Sequence, residues 1–295
     1  MNELITGIGE VLWDVLPDGR KAGGAPANFA YHITQLGLQG CVVSAVGSDP
    51  DGDRMVETLR AKGVEQVIER VPQSTGRVTV EVDGAGIPRY RFEPDSAWDN
   101  IPFTPHLAAT AARTRAVCFG SLAQRSAVTR ATIGRFLDAM PADGTLRVFD
   151  INLRQEFYTP DIVDESMRRC NILKINDEEL SVVSRMFGLH GSSDAEICEG
   201  LRERYGLRVL ILTCGAAGSR VFTDGEVSSL PTPRVKIADT VGAGDSFTAA
   251  FTASLLRGCG TAEAHRFAVE VAAFVCTQHG AMPQLPEGLR NRLSR

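Results

Sequence analysis

The densest concentration of chemistry-bearing residues is Asp239-Thr240-Val241-Gly242-Ala243-Gly244-Asp245-Ser246-Phe247. Two glycines flanking one alanine let consecutive backbone N–H groups turn toward a single point, a concavity that attracts an anion. A helix should follow. From Ser246 to Leu256 the chain is rich in Ala, Phe, Thr and Leu, and Phe247, Phe251 and Leu255 recur on one face. The cradle of Gly242, Ala243 and Gly244 then sits at a helix N-terminus, where the macrodipole adds to the free N–H groups and favours a phosphate. Asp245 stands in the first turn. A lone aspartate there is explained as a helix cap, but a cap explains neither the glycines before it nor the second acid, Asp239. A carboxylate beside an anion hole is what phosphoryl transfer needs: it accepts a hydroxyl proton while the backbone stabilises the moving charge.

This segment resembles the C-terminal signature of the ribokinase-like (PfkB) carbohydrate kinases, D-T-x-G-A-G-D followed by a small-residue helix. Gly23-Gly24-Ala25-Pro26-Ala27-Asn28 resembles the same family's N-terminal G-G-x-x-x-N. Asn176 and Glu179 match its N-x-x-E motif, and Thr213-Cys214-Gly215-Ala216-Ala217-Gly218 is similar to its nucleotide-side T-x-G-x-x-G. The resemblance implies an ATP-dependent sugar kinase with a three-layer α/β/α fold, a mostly parallel central sheet and a small β-sheet lid. It implies that Asp14, Gly24 and Asn28 bind sugar hydroxyls, and that Asn176, Thr213, Gly215 and Gly218 serve the nucleotide. It also implies that Glu179 organises Mg2+ through water and that Asp239 holds a monovalent cation such as K+. Among these kinases the chain looks most like the fructokinases, on Trp13-Asp14, the Gly-Gly-Ala-Pro-Ala-Asn segment, Phe119-Gly120-Ser121-Leu122 and Asp150-Ile151-Asn152-Leu153-Arg154. Ribose, 2-keto-3-deoxygluconate and adenosine are the rival substrates, because one hydroxyl's placement separates them. A non-catalytic sugar- or nucleotide-binding regulator is the rival from another class, and the presence of Gly242, Gly244 and Asp245 argues against it.

Composition limits the alternatives. The 295 residues are 43% hydrophobic and 23% charged, with a formal net charge of −5. That balance suits a globular α/β chain and gives no general attraction to nucleic acid or an anionic membrane. Seven scattered cysteines form no C-x-x-C pair, which reads as buried thiols, and no Cys/His cluster suggests zinc. The start, Met1-Asn2-Glu3-Leu4, lacks the marks of a signal peptide, so a cytoplasmic location is expected. There is no G-x-x-x-x-G-K-[ST], and Gly7-Ile8-Gly9 lacks the third glycine of a dinucleotide fingerprint.

The elements that must position these residues follow a βα rhythm. Strands are expected at Leu4–Gly9, Cys41–Val46, Ala116–Gly120, Leu146–Ile151, Ile172–Ile175 and Leu207–Thr213. Helices are expected from Pro26 to Gly37, Asp49 to Lys62, Ala127 to Ala139 and Ala262 to Cys276, and a hairpin around Asp224-Gly225. Alternating strands and helices give a mostly parallel sheet with ligands at the strands' C-terminal ends, where Asp14 and Arg154 fall. Val67-Ile68, Arg77–Val82 and Pro88–Phe92, with a turn at Asp83-Gly84-Ala85-Gly86, are expected to form a separate antiparallel sheet. The chain reads as one domain, 1–295, with a lid drawn mainly from residues 10–20 and 64–95. The alternation in Thr75–Val82 suits a face buried either on the main domain or on a second copy, giving a homodimer through the lid.

Overall fold

The computed structural model describes residues 4–16, 19–82 and 88–293; the turn expected at 83–86 lies outside them. In chain order the elements are β1 (Leu4–Ile8), β2 (Leu12–Leu16), β3 (Gly19–Gly23), α1 (Ala25–Gln35), β4 (Gly40–Gly47), α2 (Pro50–Ala61), β5 (Glu65–Val71), β6 (Gly76–Val82) and β7 (Pro88–Phe92). Next come α3 (Pro105–Arg113), β8 (Thr114–Phe119), α4 (Ala127–Ala139), β9 (Leu146–Asp150), α5 (Pro160–Arg169), β10 (Ile172–Asn176), α6 (Asp177–Phe187) and α7 (Asp194–Tyr205). The last third holds β11 (Val209–Thr213), β12 (Ser219–Thr223), β13 (Glu226–Leu230), α8 (Ala243–Leu256), α9 (Thr261–Cys276) and the short α10 (Glu287–Arg290).

Nine strands form one sheet in the order β13-β12-β11-β10-β9-β8-β1-β4-β5. It is parallel except where β12 and β13 fold back on β11 as the hairpin expected at Asp224-Gly225. Period-two alternation decides what each face buries. In β11, Leu210 and Leu212 point into a core shared with Phe136 of α4 and Leu201 of α7. Val209 and Ile211 point the other way, to Phe247, Phe251 and Phe267 of α8 and α9. Both faces are covered, which is why the strands read as continuous apolar runs.

The small sheet has the order β3-β2-β6-β7. Two expectations fail here. Val67 and Ile68 belong to β5, which pairs in parallel with β4 from Cys41↔Glu65 to Gly47↔Val71, so that segment is in the large sheet. Helix α2 is the crossover that makes β4 and β5 a parallel pair. The lid is also not wholly antiparallel: β2 and β6 run parallel, with Trp13↔Arg77 and Asp14↔Val78. A long excursion through α1, β4, α2 and β5 separates them, so no tight turn forces antiparallel pairing. An acid of the main body grips two strands of the lid. Asp51, in the first turn of α2, accepts from Arg20 of β3 at 2.8 and 2.9 Å and from Arg77 of β6 at 2.9 and 2.6 Å. Trp13 donates its indole N–H to the Asp51 carbonyl and packs in a core cluster with Met55 and Leu59, so it is a core residue rather than a site residue.

Candidate active site

A cavity of about 700 Å³ lies between the lid and the C-terminal ends of the parallel strands. The lid contributes Asp14 of β2 and Lys21 of β3 to its wall. The large sheet contributes Asp150 from the end of β9, Lys174 and Asn176 from β10 and Thr213 from β11. Asp239, Gly242, Gly244 and Asp245 close the site from the α8 side.

Gly242 is the N-cap of α8, with φ 78°. Both facts demand glycine: the conformation is left-handed, and a Cβ there would sit 2.7 Å from the Ala281 Cα. Gly242 and Gly244 line the cavity, whereas the Ala243 N–H donates to the Thr240 carbonyl at 3.3 Å and closes the turn. Gly244 also makes room for a cation, since a Cβ on it would lie 3.2 Å from the Lys174 Nζ. Parallel register sets Lys174 beside Asp150. Its ammonium bonds both Asp150 oxygens, at 2.9 and 3.0 Å, and Thr248 of α8 donates to the same carboxylate at 2.9 Å. Burial works against the Lys174 charge, but Asp150 and Glu179 outweigh it and hold its pKa above the ordinary value.

Asp245 receives the Asn28 Nδ2–H at 2.7 Å, across 217 residues of chain. Burial and the Asp150 charge push its carboxyl up to about 6, against the opposing pull of Asn28, Lys174 and Arg154. Asn28 is itself buried on α1, whose entry requires Gly24 at φ 111°, where a Cβ would meet the Glu10 carbonyl at 2.3 Å. Gly23 has a separate reason: a Cβ on it would lie 2.4 Å from Asp14 Oδ2. Asp14 lies half-buried in β2, its pKa pushed up to about 6 by burial, with Lys21 opposing and Asp239 adding to the rise. Arg154 is exposed on the cavity rim and donates to the neighbouring Leu153 carbonyl.

The remaining anticipated residues divide into two groups. Asn176 and Glu179 form a reciprocal capping box at the start of α6, Asn176 Oδ1 accepting from the Glu179 N–H and Glu179 Oε2 from the Asn176 N–H. Glu179 Oε1 accepts from the Leu153 N–H, tying α6 to the loop after β9. Both residues still line the cavity. Asp239 binds the Val241 and Gly280 N–H groups at 3.0 Å each; burial raises its pKa, but these bonds more than offset that and leave it lowered. It anchors the loop leading into α8. Gly215 and Gly218 stand apart from the lining in the turn between β11 and β12, at φ 50° and 119°, and a Cβ on Gly218 would lie 2.4 Å from the Leu230 carbonyl.

Sequence reasoning missed Glu10, Lys21 and Lys174 as site residues. Lys174 had a readable signal, since a lysine inside Ile172-Leu173-Lys174-Ile175 would be buried in a parallel strand and must have a partner. Glu10 had only its place just past the C-terminal end of β1, and Lys21 had none, because only the folded lid brings it to the cavity. The finished wall carries six carboxyl groups (Glu10, Asp14, Asp150, Glu179, Asp239, Asp245) against three cationic side chains (Lys21, Arg154, Lys174). Such a site takes an anion best together with a cation. Among the described residues no three His, Cys, Asp or Glu side chains converge as a metal cage. Each Glu179 oxygen accepts one backbone N–H and keeps lone pairs, a donor set that would fit Mg2+ held mainly by phosphate oxygens and water.

Residues 17–288 match the model of the pfkB family carbohydrate kinases. A fructokinase of Klebsiella pneumoniae is 31% identical, over 97% of this chain and 97% of its own length. A sugar kinase of Pyrococcus horikoshii, described as uncharacterized and solved in complex with ATP, is 27% identical, covers 94% of each chain and superposes with a TM-score of 0.78. A fructokinase of Vibrio cholerae O395, solved with fructose, ADP and calcium ion, is 24% identical over 99% of each chain, with a TM-score of 0.82, a likeness of fold.

Proposed function

The chain belongs to the pfkB family of carbohydrate kinases and is an ATP-dependent sugar kinase, and within that family we propose that it is a fructokinase in which Asp245 is the base. The carrying observation is Asp245 itself: a carboxylate in the first turn of α8, beside two cavity-lining glycines and gripped by Asn28. A pKa near 6 leaves it ionised at neutral pH yet more basic than an ordinary aspartate, which suits proton transfer from a sugar hydroxyl. The similarity to fructokinases along nearly the whole chain supports fructose as the acceptor.

In this reading Asp14 accepts hydrogen bonds from two neighbouring sugar hydroxyls, and Gly24 lets the backbone approach the ring. Asn28 keeps Asp245 facing the primary hydroxyl, and Arg154 closes the sugar side at the rim. Thr213, Asn176 and the turn of Gly215 and Gly218 form the nucleotide side. Gly242 and Gly244 present backbone to the transferring phosphoryl group, and Lys174 beneath Gly244 adds positive charge. Bound Mg2+ neutralises phosphate charge. The lid excludes water, the competing acceptor.

The test is coupled ADP release with MgATP across fructose, ribose, 2-keto-3-deoxygluconate and adenosine. Fructose should give the highest kcat/KM. A different winner discards fructose and keeps the chemistry; no turnover on any sugar, with ATP still bound, discards the catalytic reading.

A further inference from the structure

Glu10 is a buried acid with no part in the scheme above. It follows β1 and is 3% exposed. Its own N–H and the Ala25 N–H, at the first position of α1, lie close enough to the carboxyl to lower its pKa. Helix α1 needs an outside acceptor, because its N-cap is Gly24, which has no side chain to offer. The second oxygen, Glu10 Oε2, is buried without a hydrogen-bond partner among the described residues. One turn along α1, Asn28 Oδ1 is buried and unpartnered as well, while Asn28 Nδ2 holds Asp245.

Two orphaned acceptors on either side of the α1 entry are costly, on the order of 1–3 kcal/mol each. A proton on Glu10 turns one acceptor into a donor and removes a negative charge from beside Asp245. The charged or titratable groups around Glu10 are Asp245 from α8, Arg154 from the loop after β9 and Cys118 from β8. Burial first, and then the Asp245 charge, push the Glu10 carboxyl up to about 7, against the opposing pull of its own N–H, the Ala25 N–H and Arg154.

We propose that Glu10 is a positioning residue that works in its protonated form, fixing the entry of α1 so that Asn28 holds Asp245 against the sugar hydroxyl. This rests on the reading of Asp245 as the base.

The experiment compares wild type, Glu10→Gln, Glu10→Ala and Asp245→Asn, measuring kcat and the sugar KM from about pH 6 to about pH 9, with thermal unfolding of each. Wild-type kcat should fall on the alkaline side as Glu10 ionises. Glu10→Gln, a permanently neutral isostere, should keep kcat within about threefold at the low end and lose the alkaline fall, while Glu10→Ala loses about tenfold or more in kcat. An alkaline fall unchanged in Glu10→Gln overturns the proposal, as does wild-type turnover by Glu10→Ala; should Glu10→Ala not fold, the Glu10→Gln profile decides alone. An inactive Asp245→Asn beside an unchanged Glu10→Gln profile refutes Glu10 only, whereas an active Asp245→Asn removes the base and this inference together.

Discussion

Two buried charge clusters in this molecule each set a cation against aspartate and end in opposite states. At the base of the lid, Arg125 donates to Asp99 Oδ1 at 2.8 Å and Oδ2 at 2.7 Å, and also to the Glu93 carbonyl at 2.6 Å. Its guanidinium lies over the Trp98 ring at 4.1 Å and the Phe157 ring at 4.8 Å, while Asp99 also caps the Ser96 N–H. One cation meets one anion in a bidentate fork, and aromatic faces cover the rest. In the cavity, Asp245, Asp150 and Glu10 outnumber Lys174, the Asp245 and Glu10 carboxyls are pushed upward, and Glu10 Oε2 and Asn28 Oδ1 have no partner among the described residues. The first cluster has nothing left to bind. The second keeps a surplus of negative charge and open acceptors at the cavity, as the proposed binding of an anion, its cation and a sugar hydroxyl requires.

Mutation of each cluster should therefore fail in different currencies. Asp245→Asn should lower kcat by roughly 10²- to 10⁴-fold with ATP and sugar still bound, as coupled ADP release and equilibrium titration would measure. The same variant should be more stable, not less. The Asp245 carboxyl is raised from 3.8 to about 6 in the folded chain, so its contribution to stability is full below about pH 4 and is lost as pH rises through 6. At neutral pH its ionisation opposes folding, and Asp245→Asn should then unfold at a higher temperature than wild type, with the gap closing toward pH 4. Equal melting temperatures at neutral pH would mean that the carboxylate is not under strain.

Arg125→Met reverses the pattern. It leaves Asp99, 4% exposed at its side chain, as an unpaired buried charge. Denaturant unfolding should show a loss of about 3–5 kcal/mol, with kcat per folded molecule preserved. A variant as stable as wild type would show that the aromatic faces, not the ion pair, hold this corner. Asp51→Asn should have the smallest effect. Arg20 and Arg77 are 44% and 39% exposed at their side chains, so each loses only a partly screened partner. Weaker lid attachment should raise the sugar KM about three- to tenfold and change kcat less; an unchanged KM would separate lid closure from this contact.

Most large-sheet strands and five helices, α1, α2, α4, α8 and α9, were legible in the sequence. Helix α4 occupies the expected span Ala127–Ala139, and β8 to β11 fall on the expected runs. Helices α3, α5 and α7 are not among the expected ones, although Thr104-Pro105, Thr159-Pro160 and Ser193 are N-terminal signals and each hydroxyl accepts the expected helix N–H. Their weak point was periodicity: α5 buries only Ile162, Val163, Ser166 and Met167, too short a stripe to stand out. The lid was half-read, since a local alternation identifies a strand but not its partner, and β5 joined the large sheet while β2 came from the far side of α1.

The sequence by itself determined the chemistry's local parts: a glycine turn into α8 with an acid in its first turn, a glycine pair into α1 with Asn28 one turn on, and a capping box at α6. Each depends on neighbours within a few residues, where backbone sterics and helix ends act. Only the tertiary structure decided which of these parts meet. It set Asn28 against Asp245 across 217 residues, slid Lys174 beneath Gly244 and left Glu10 near Asp245. Proton affinities belong to that second category, because they follow from burial and from charges that the folded chain, not the local sequence, brings together.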